Sequence, residues 1–173
     1  IRKRKVDCLE DLIQDIETLI QNGSIKRNGH LYLYYAIYQS WDGSTWINSS
    51  QYTYTYDGDG NMISHYGEFW DGSIWVSSRQ YTFTYDSNEN LLTNVRQTWD
   101  GNAWINDWQN TFTYDGDGNW ISSYGEYWDG SAWMSSYLDT YTYDGDGNQL
   151  SYLYQNWDGS AWVSVNQYTH TYD

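Results

Sequence analysis

The chain has 173 residues, is 20% aromatic, contains no proline, and carries 23 acidic against 8 basic side chains, for a formal charge of −15. That length suffices for one domain of ordinary size with a real core. Six of the basic residues precede Asn28, and beyond it only Arg79 and Arg96 oppose 18 carboxylates, a net of −16, which sets phosphate polymers and anionic membranes aside as partners of that region.

Residues 1–23 read as a basic N-terminus followed by one helix. The tract Arg2–Lys5 is taken as a solvated charge run rather than a phosphate contact. Across 7–21, Leu9, Leu12, Ile13, Ile16, Leu19 and Ile20 follow the spacing that lines one helical stripe, Asp7 with Glu10 has the form of a capping box, and Asn22-Gly23 supplies a stop. Such a stripe has to be covered, so the helix is expected to cap the first edge of a sheet, with docking to another chain as the alternative. Cys8 is the lone cysteine, which rules out an intrachain disulfide and reads as a small core residue. No apolar run is long enough for a transmembrane helix, and no signal peptide is visible.

Residues 24–173 form the second region, a repetitive β-meander. Asn28-Gly29 offers a tight hairpin turn between Ile25–Arg27 and the run from His30 to Trp41. From there a 29-residue clock governs the chain. It places Trp41, Trp70, Trp99, Trp128 and Trp157 in one register and Trp46, Trp75, Trp104, Trp133 and Trp162 in another. Tyr-Asp steps keep the same time from Tyr56-Asp57 to Tyr172-Asp173. The stretch 75–85 alternates with a period of two and is rich in Tyr and Thr, which predicts strand. Each unit therefore holds two strands of roughly ten residues, an Asp-Gly-Ser turn and an Asp-Gly-Asp-Gly-Asn turn. The third copy of the latter reads Asp86-Ser87-Asn88-Glu89-Asn90, so either its geometry differs or the glycines are dispensable.

Plain alternation puts Trp70 and Trp75 on one face with Met62, Tyr66, Tyr81, Phe83 and Tyr85, and Ile63, Phe69 and Val76 on the reverse face beside a threonine ladder. A column of Tyr54, Phe83, Phe112, Tyr141 and His170 is expected to stack along the array. The fold class is thus mainly β: 29-residue hairpin repeats in an extended antiparallel meander, open or gently coiled, with one N-terminal capping helix. The stop at Tyr172-Asp173, where earlier copies enter a turn, suggests truncation.

Two chemistries suggest themselves. Trp70/Trp75, Trp99/Trp104 and Trp128/Trp133 are candidate platforms for the C–H face of a sugar, with clasping of their own turn as the alternative. Asp57/Asp59/Asn61, Asp115/Asp117/Asn119 and Asp144/Asp146/Asn148 alternate oxygen ligands like the opening of a calcium loop. Their sixth positions are Met62, Trp120 and Gln149 where an EF-hand needs glycine, so weak surface calcium stands behind a hydrogen-bonded turn as the reading. Otherwise no cofactor is implied. His30, His65 and His170 lack metal-ligand spacing, and no nucleophile motif is present, so no enzyme activity is expected.

The segments YTYTYDGDGN at 52–61, WDGSIWVSS at 70–78, FTYDGDGNW at 112–120 and WDGSAWVSV at 157–165 resemble repeats of large secreted and cell-surface proteins of Bacteroidota. The Tyr-Asp…Gly-Asn element is distantly similar to the YD repeats of Rhs-type proteins. The likeness covers 41–173 and leaves out the helical front. Repeats of this surface type accompany type IX secretion signals, and no such sorting domain occurs here; YD shells enclose a toxin, for which this chain is too short. The resemblance implies an extracellular β-rich module, structural or adhesive, with no catalytic residue. The expected function is a secreted or surface-bound structural or adhesion module, with a glycan-binding lectin-like module as the alternative. Its expected partner is another protein chain or a second copy at a sheet edge, with neutral glycans behind.

Overall fold

The computed structural model describes residues 24–27 and 30–172. Its elements are β1 (Ser24–Arg27), β2 (His30–Leu33), β3 (Tyr35–Trp41), β4 (Trp46–Tyr56), β5 (Met62–Trp70), β6 (Trp75–Tyr85), β7 (Leu91–Trp99), β8 (Trp104–Tyr114), β9 (Trp120–Trp128), β10 (Trp133–Tyr143), β11 (Gln149–Trp157) and β12 (Trp162–Thr169). β1 and β2 pair antiparallel with Arg27 opposite His30, the register of a two-residue hairpin connection. β3 to β12 form one ten-stranded sheet whose order is the order of the sequence. The antiparallel meander therefore stands.

The capping helix does not enter this fold. Every described element is a strand, no helix occurs among the described residues, and the segment 7–21 read as that helix lies outside them. The fold class is corrected to an all-β antiparallel meander.

The chain divides into two compact units, Ile1–Ser78 and Arg79–Asp173. Each is built alike. An Asp-Gly turn joins two tryptophans that face each other, as Trp41 faces Trp46 in the first unit and Trp99 faces Trp104 in the second. β-Branched and aromatic residues extend the strands from there, and the next Asp-rich turn ends them.

One-residue bulges recur with the repeat. Ser49 in the first unit and Asp107, Ser136 and Val165 in the second are extra residues on the longer strands. Ile63, Leu92, Ile121 and Leu150 are extra residues on the shorter ones. A bulge shifts the alternation of everything beyond it. This corrects the face assignment. In the second unit Trp99 and Trp104 share a face with Gln80, Thr82 and Thr84, while Tyr81, Phe83 and Tyr85 lie on the other. In the first unit Trp70 shares its face with Tyr66 and Thr53, and Met62 opposes Tyr56 on the reverse. The threonine ladder thus runs on the tryptophan face, where Thr113 meets Ser122 at 2.5 Å and Thr142 meets Ser151 at 2.6 Å.

No apolar side chain is fully buried among the described residues; the buried positions with side chains are Gln51 and Ser123. Burial is shared out instead among half-covered rings that pack across strands, each pair contributing about 0.5–1.5 kcal/mol beyond its area. The expected aromatic column forms with intermediaries. Trp120 stands between Phe112 (5.7 Å) and Tyr141 (5.0 Å), and Tyr152 stands between Tyr141 (5.1 Å) and Tyr168 (5.5 Å). The column residues lie on every second strand, so an aromatic on the intervening strand has to bridge them.

Candidate functional site

The turns come first, because they position the tryptophans. In the Asp-Gly-Ser turn after β9, Asp129 Oδ1 accepts the backbone N–H groups of Ser131 (2.7 Å) and Ala132 (2.8 Å) and the Ser131 hydroxyl (2.9 Å). Gly130 takes φ 103°, a left-handed conformation that other side chains resist. The same arrangement holds at Asp42, Asp71 and Asp158. Hydrogen bonds from the turn's own N–H groups hold these carboxyls below their usual range. Their charge is spent on the turn.

Each turn brings its two indoles together edge to face, at ring separations of 5.1 Å for Trp70/Trp75, 5.2 Å for Trp99/Trp104 and 5.3 Å for Trp128/Trp133. Trp41/Trp46 and Trp157/Trp162 repeat the geometry at 5.5 and 5.2 Å. The expected platforms are therefore real pairs, half-buried, and each pair also clasps its turn.

Two residues further along each strand, on the same face, lies a polar row. Gln80 Nε2 donates to Gln97 Oε1 (2.6 Å), and Gln97 Nε2 donates to Asn106 Oδ1 (2.8 Å). Gln109 Nε2 donates to Glu126 Oε2 (2.6 Å), Tyr124 shares a hydrogen bond with Ser135 (2.7 Å), and in the first unit Gln51 donates to Glu68 while Tyr66 shares one with Ser77 (2.8 Å). Amides and carboxylates beside indole rings match the polar and apolar edges of a pyranose in kind.

These rows expose a double period. Glu68 and Glu126, Gly67 and Gly125, and Tyr66 and Tyr124 recur at 58 residues, whereas Gln39, Gln97 and Gln155 occupy the alternate units. The reading of a single 29-residue clock passed over this alternation, although SHYGEFW at 64–70 and SSYGEYW at 122–128 carry it plainly.

The opposite face is a tyrosine surface. Tyr137 spans Gly125 and donates its hydroxyl to Asn110 Oδ1 (2.8 Å); a Cβ on Gly125 would run into that ring. Tyr152 donates to Asp139 Oδ1 (2.8 Å), and burial together with the Asp139 charge pushes the phenol upward. Arg96 pairs with the bulge residue Asp107 and lies 5.5 Å from the centre of the Trp108 ring. A groove of about 470 Å³ opens in the second unit, with Tyr127, Met134, Asn156 and Trp157 among its walls. Of these, sequence reasoning had singled out none as a ligand contact; Tyr127 and Asn156 sit one position before repeat tryptophans, where no shared residue type marks them.

The three candidate calcium turns are organised around their first aspartate. Asp57 Oδ1 accepts N–H groups from Asp59, Gly60 and Asn61, and Oδ2 accepts the Asn61 amide (3.0 Å). Asp115 binds Asp117 and Asn119, and Asp144 binds Asp146 and Asn148, in the same way. Asn61, Asn119 and Asn148 thus turn their side-chain amides toward the aspartate, and no group of three or more His, Cys, Asp or Glu side chains is placed to hold a metal among the described residues. The divergent third turn keeps this geometry: Asp86 accepts from Asn88 and Asn90, and Glu89 takes φ 66° where its counterparts are Gly60, Gly118 and Gly147.

No protein-family model and no curated protein matches this sequence. Among solved structures, a protein of unknown function from Bacteroides fragilis NCTC 9343 is similar over 69% of this chain and 91% of its own, with 13% identity and a TM-score of 0.56. The fold is shared with a Bacteroidota protein. Two DUF3836 family proteins also align. The one from Parabacteroides distasonis ATCC 8503 has 21% identity and a TM-score of 0.37, over 45% of this chain and 72% of its own. The one from Bacteroides vulgatus ATCC 8482 has 17% identity and a TM-score of 0.36, over 66% and 98%. What the B. fragilis likeness carries is the sheet architecture.

Proposed function

We propose that the chain is an extracellular, non-enzymatic repeat module, structural or adhesive, that presents an acidic and aromatic-rich β surface. The observation behind this reading is the identical use of all five tryptophan pairs, at 5.1–5.5 Å, as surface elements repeated along the chain. A surface built from equal, weak elements suits multivalent attachment. Beads carrying the folded chain are expected to be retained on matrix-coated or mucin-coated surfaces above beads carrying an unrelated acidic protein. Equal retention would overturn the adhesive reading. Protease treatment of intact cells producing the protein should release it, and complete protection would overturn the location.

Neutral-glycan binding is the second reading, favoured by the groove in the second unit. Trp157 and Tyr127 supply rings there, and Asn156, Ser135 and Ser136 supply hydrogen-bonding groups. A glycan array, run with and without calcium, tests both this reading and the weak calcium expected at the Asp-rich turns. Binding to one glycan class that Asn156→Ala abolishes would support it; a blank array from folded protein would remove it.

A further inference from the structure

Among the described residues, β12 and β3 each carry a strand on one side only. The repeat makes these two edges complementary. A shift of 58 residues places Ile37 on Val95, Gln39 on Gln97 and Ser40 on Thr98, so β3 has the phase of β7. A shift of 87 places Gln167 on Gln80, Tyr168 on Tyr81 and Thr169 on Thr82, so β12 has the phase of β6. β6 and β7 are paired, with Gln80 opposite Gln97, Tyr81 opposite Arg96 and Thr82 opposite Val95. β3 is therefore the type of strand that the outer edge of β12 accepts.

Side chains agree with the backbone. Within the second unit, Gln80 donates to Gln97, which donates to Asn106. Gln39 donates to Asn48 in the same manner, at 3.0 Å, and Gln167 is the counterpart of the glutamine that would donate to Gln39 in turn. Tyr168 is 55% exposed, Tyr38 52% and Ile37 48%, whereas their paired counterparts Tyr81, Arg96 and Val95 are half-buried. The His170 N–H is turned inward to the Leu150 carbonyl, and the Tyr54 N–H binds the Tyr34 carbonyl. Alternation then aims the backbone groups of Gln167 and Thr169 outward from β12, and those of Ile37 and Gln39 outward from β3.

We propose that β12 of one molecule takes β3 of a second copy as its next strand, with Gln167 opposite Gln39, Tyr168 opposite Tyr38 and Thr169 opposite Ile37. Such a contact is heterologous: each molecule offers one edge of each kind, so copies join head to tail and growth continues. Because every copy carries a formal charge of −15, association strengthens as salt screens the repulsion. This inference rests on the structural half of the reading above. Folded chains that never associate would sink it and leave adhesion by single modules standing.

The test is sedimentation velocity of the 173-residue chain from micromolar to near-millimolar concentration, in low and moderate salt. The expected result is a mass that climbs with concentration beyond the dimer. Thr169→Pro removes an outward N–H from β12, and Ile37→Pro does so from β3, neither taken from an existing ladder. Each variant alone should stay monomeric, and an equimolar mixture should form a 1:1 dimer through the two intact edges. A wild-type chain that stays monomeric throughout, or a proline variant that still grows, overturns the proposal. If a proline variant loses its sheet signal in circular dichroism, the glutamines serve instead. Gln39→Glu with Gln167→Glu should weaken association about tenfold, and Gln39→Lys with Gln167→Glu should restore it. Equal association by both pairs likewise overturns it.

Discussion

The Tyr143 hydroxyl donates to the backbone carbonyl of Trp120, 23 residues earlier, at 2.9 Å. Tyr56 does the same to Leu33, Tyr114 to Leu91 and Tyr172 to Gln149, each at 2.9–3.0 Å and each across 23 residues. This bond ties the end of one repeat to the turn exit of the one before, and it explains why the position ahead of each Asp-rich turn is tyrosine and never phenylalanine. Tyr143→Phe keeps the ring and removes the donor, so it should cost about 1 kcal/mol. Urea denaturation of the variant checks this, and an unchanged midpoint would show that water replaces the bond freely.

Glu89 occupies a left-handed position that its counterparts fill with glycine. A non-glycine residue there carries a strain of roughly 1 kcal/mol. Glu89→Gly should accordingly raise stability by up to that amount, and Gly118→Ala, at φ 86° with open space around its Cβ, should lower it by a similar amount. Paired thermal melts decide the matter. Opposite signs are required.

Gly125 is needed for a different reason, since its backbone angle is ordinary and the obstacle is the Tyr137 ring above it. Gly125→Ala has to push that ring aside and strain its hydroxyl bond to Asn110, at a cost of about 1–3 kcal/mol. Tyr137→Leu in the same background should reduce the penalty. A double-mutant cycle measures this coupling.

The pH dependence has two flanks. The turn aspartates, among them Asp57, Asp115, Asp129 and Asp144, have folded values below the ordinary 3.8 because N–H groups bind the charged form. Their contribution is complete above pH 3.8 and is lost as pH falls through the lower folded values. Tyr54, Tyr56, Tyr114 and Tyr141 are raised above 10.0, chiefly by burial of the neutral phenol. Their contribution is complete below pH 10.0 and is lost as pH rises beyond it. Urea midpoints should stay level between these limits and fall outside them. A midpoint that rises on going from pH 10 to pH 11 would contradict the alkaline flank.

The strands and turns were legible because the 29-residue clock repeats each of them, and because Trp99 and Trp104 flank a turn too short to leave them anywhere but opposite. Which face each side chain takes was not legible. The bulges that reverse the alternation fall on Ser49, Asp107, Ser136 and Val165, residues with no chemistry in common. A one-residue insertion is a property of the pairing between two strands, and alternation within either strand alone does not record it. The tyrosine-to-carbonyl bonds stayed hidden for a similar reason, since they join residues on strands that are not sequence neighbours. The aspartates of the Asp-rich turns were visible as a cluster of oxygens, but the direction of those oxygens, inward to backbone N–H groups, follows from the turn's fold.

The alternation of Glu68 and Glu126 with Gln39, Gln97 and Gln155 bears on how such a chain can change its copy number. Losing or gaining 29 residues preserves every backbone register, yet it would bring Glu68 and Glu126 into successive repeats, along with their glycines. Losing or gaining 58 leaves each carboxylate, glycine and glutamine among its present kinds of neighbour. Duplication and deletion are therefore cheapest two units at a time, and the hereditary unit of the array is twice its geometric one.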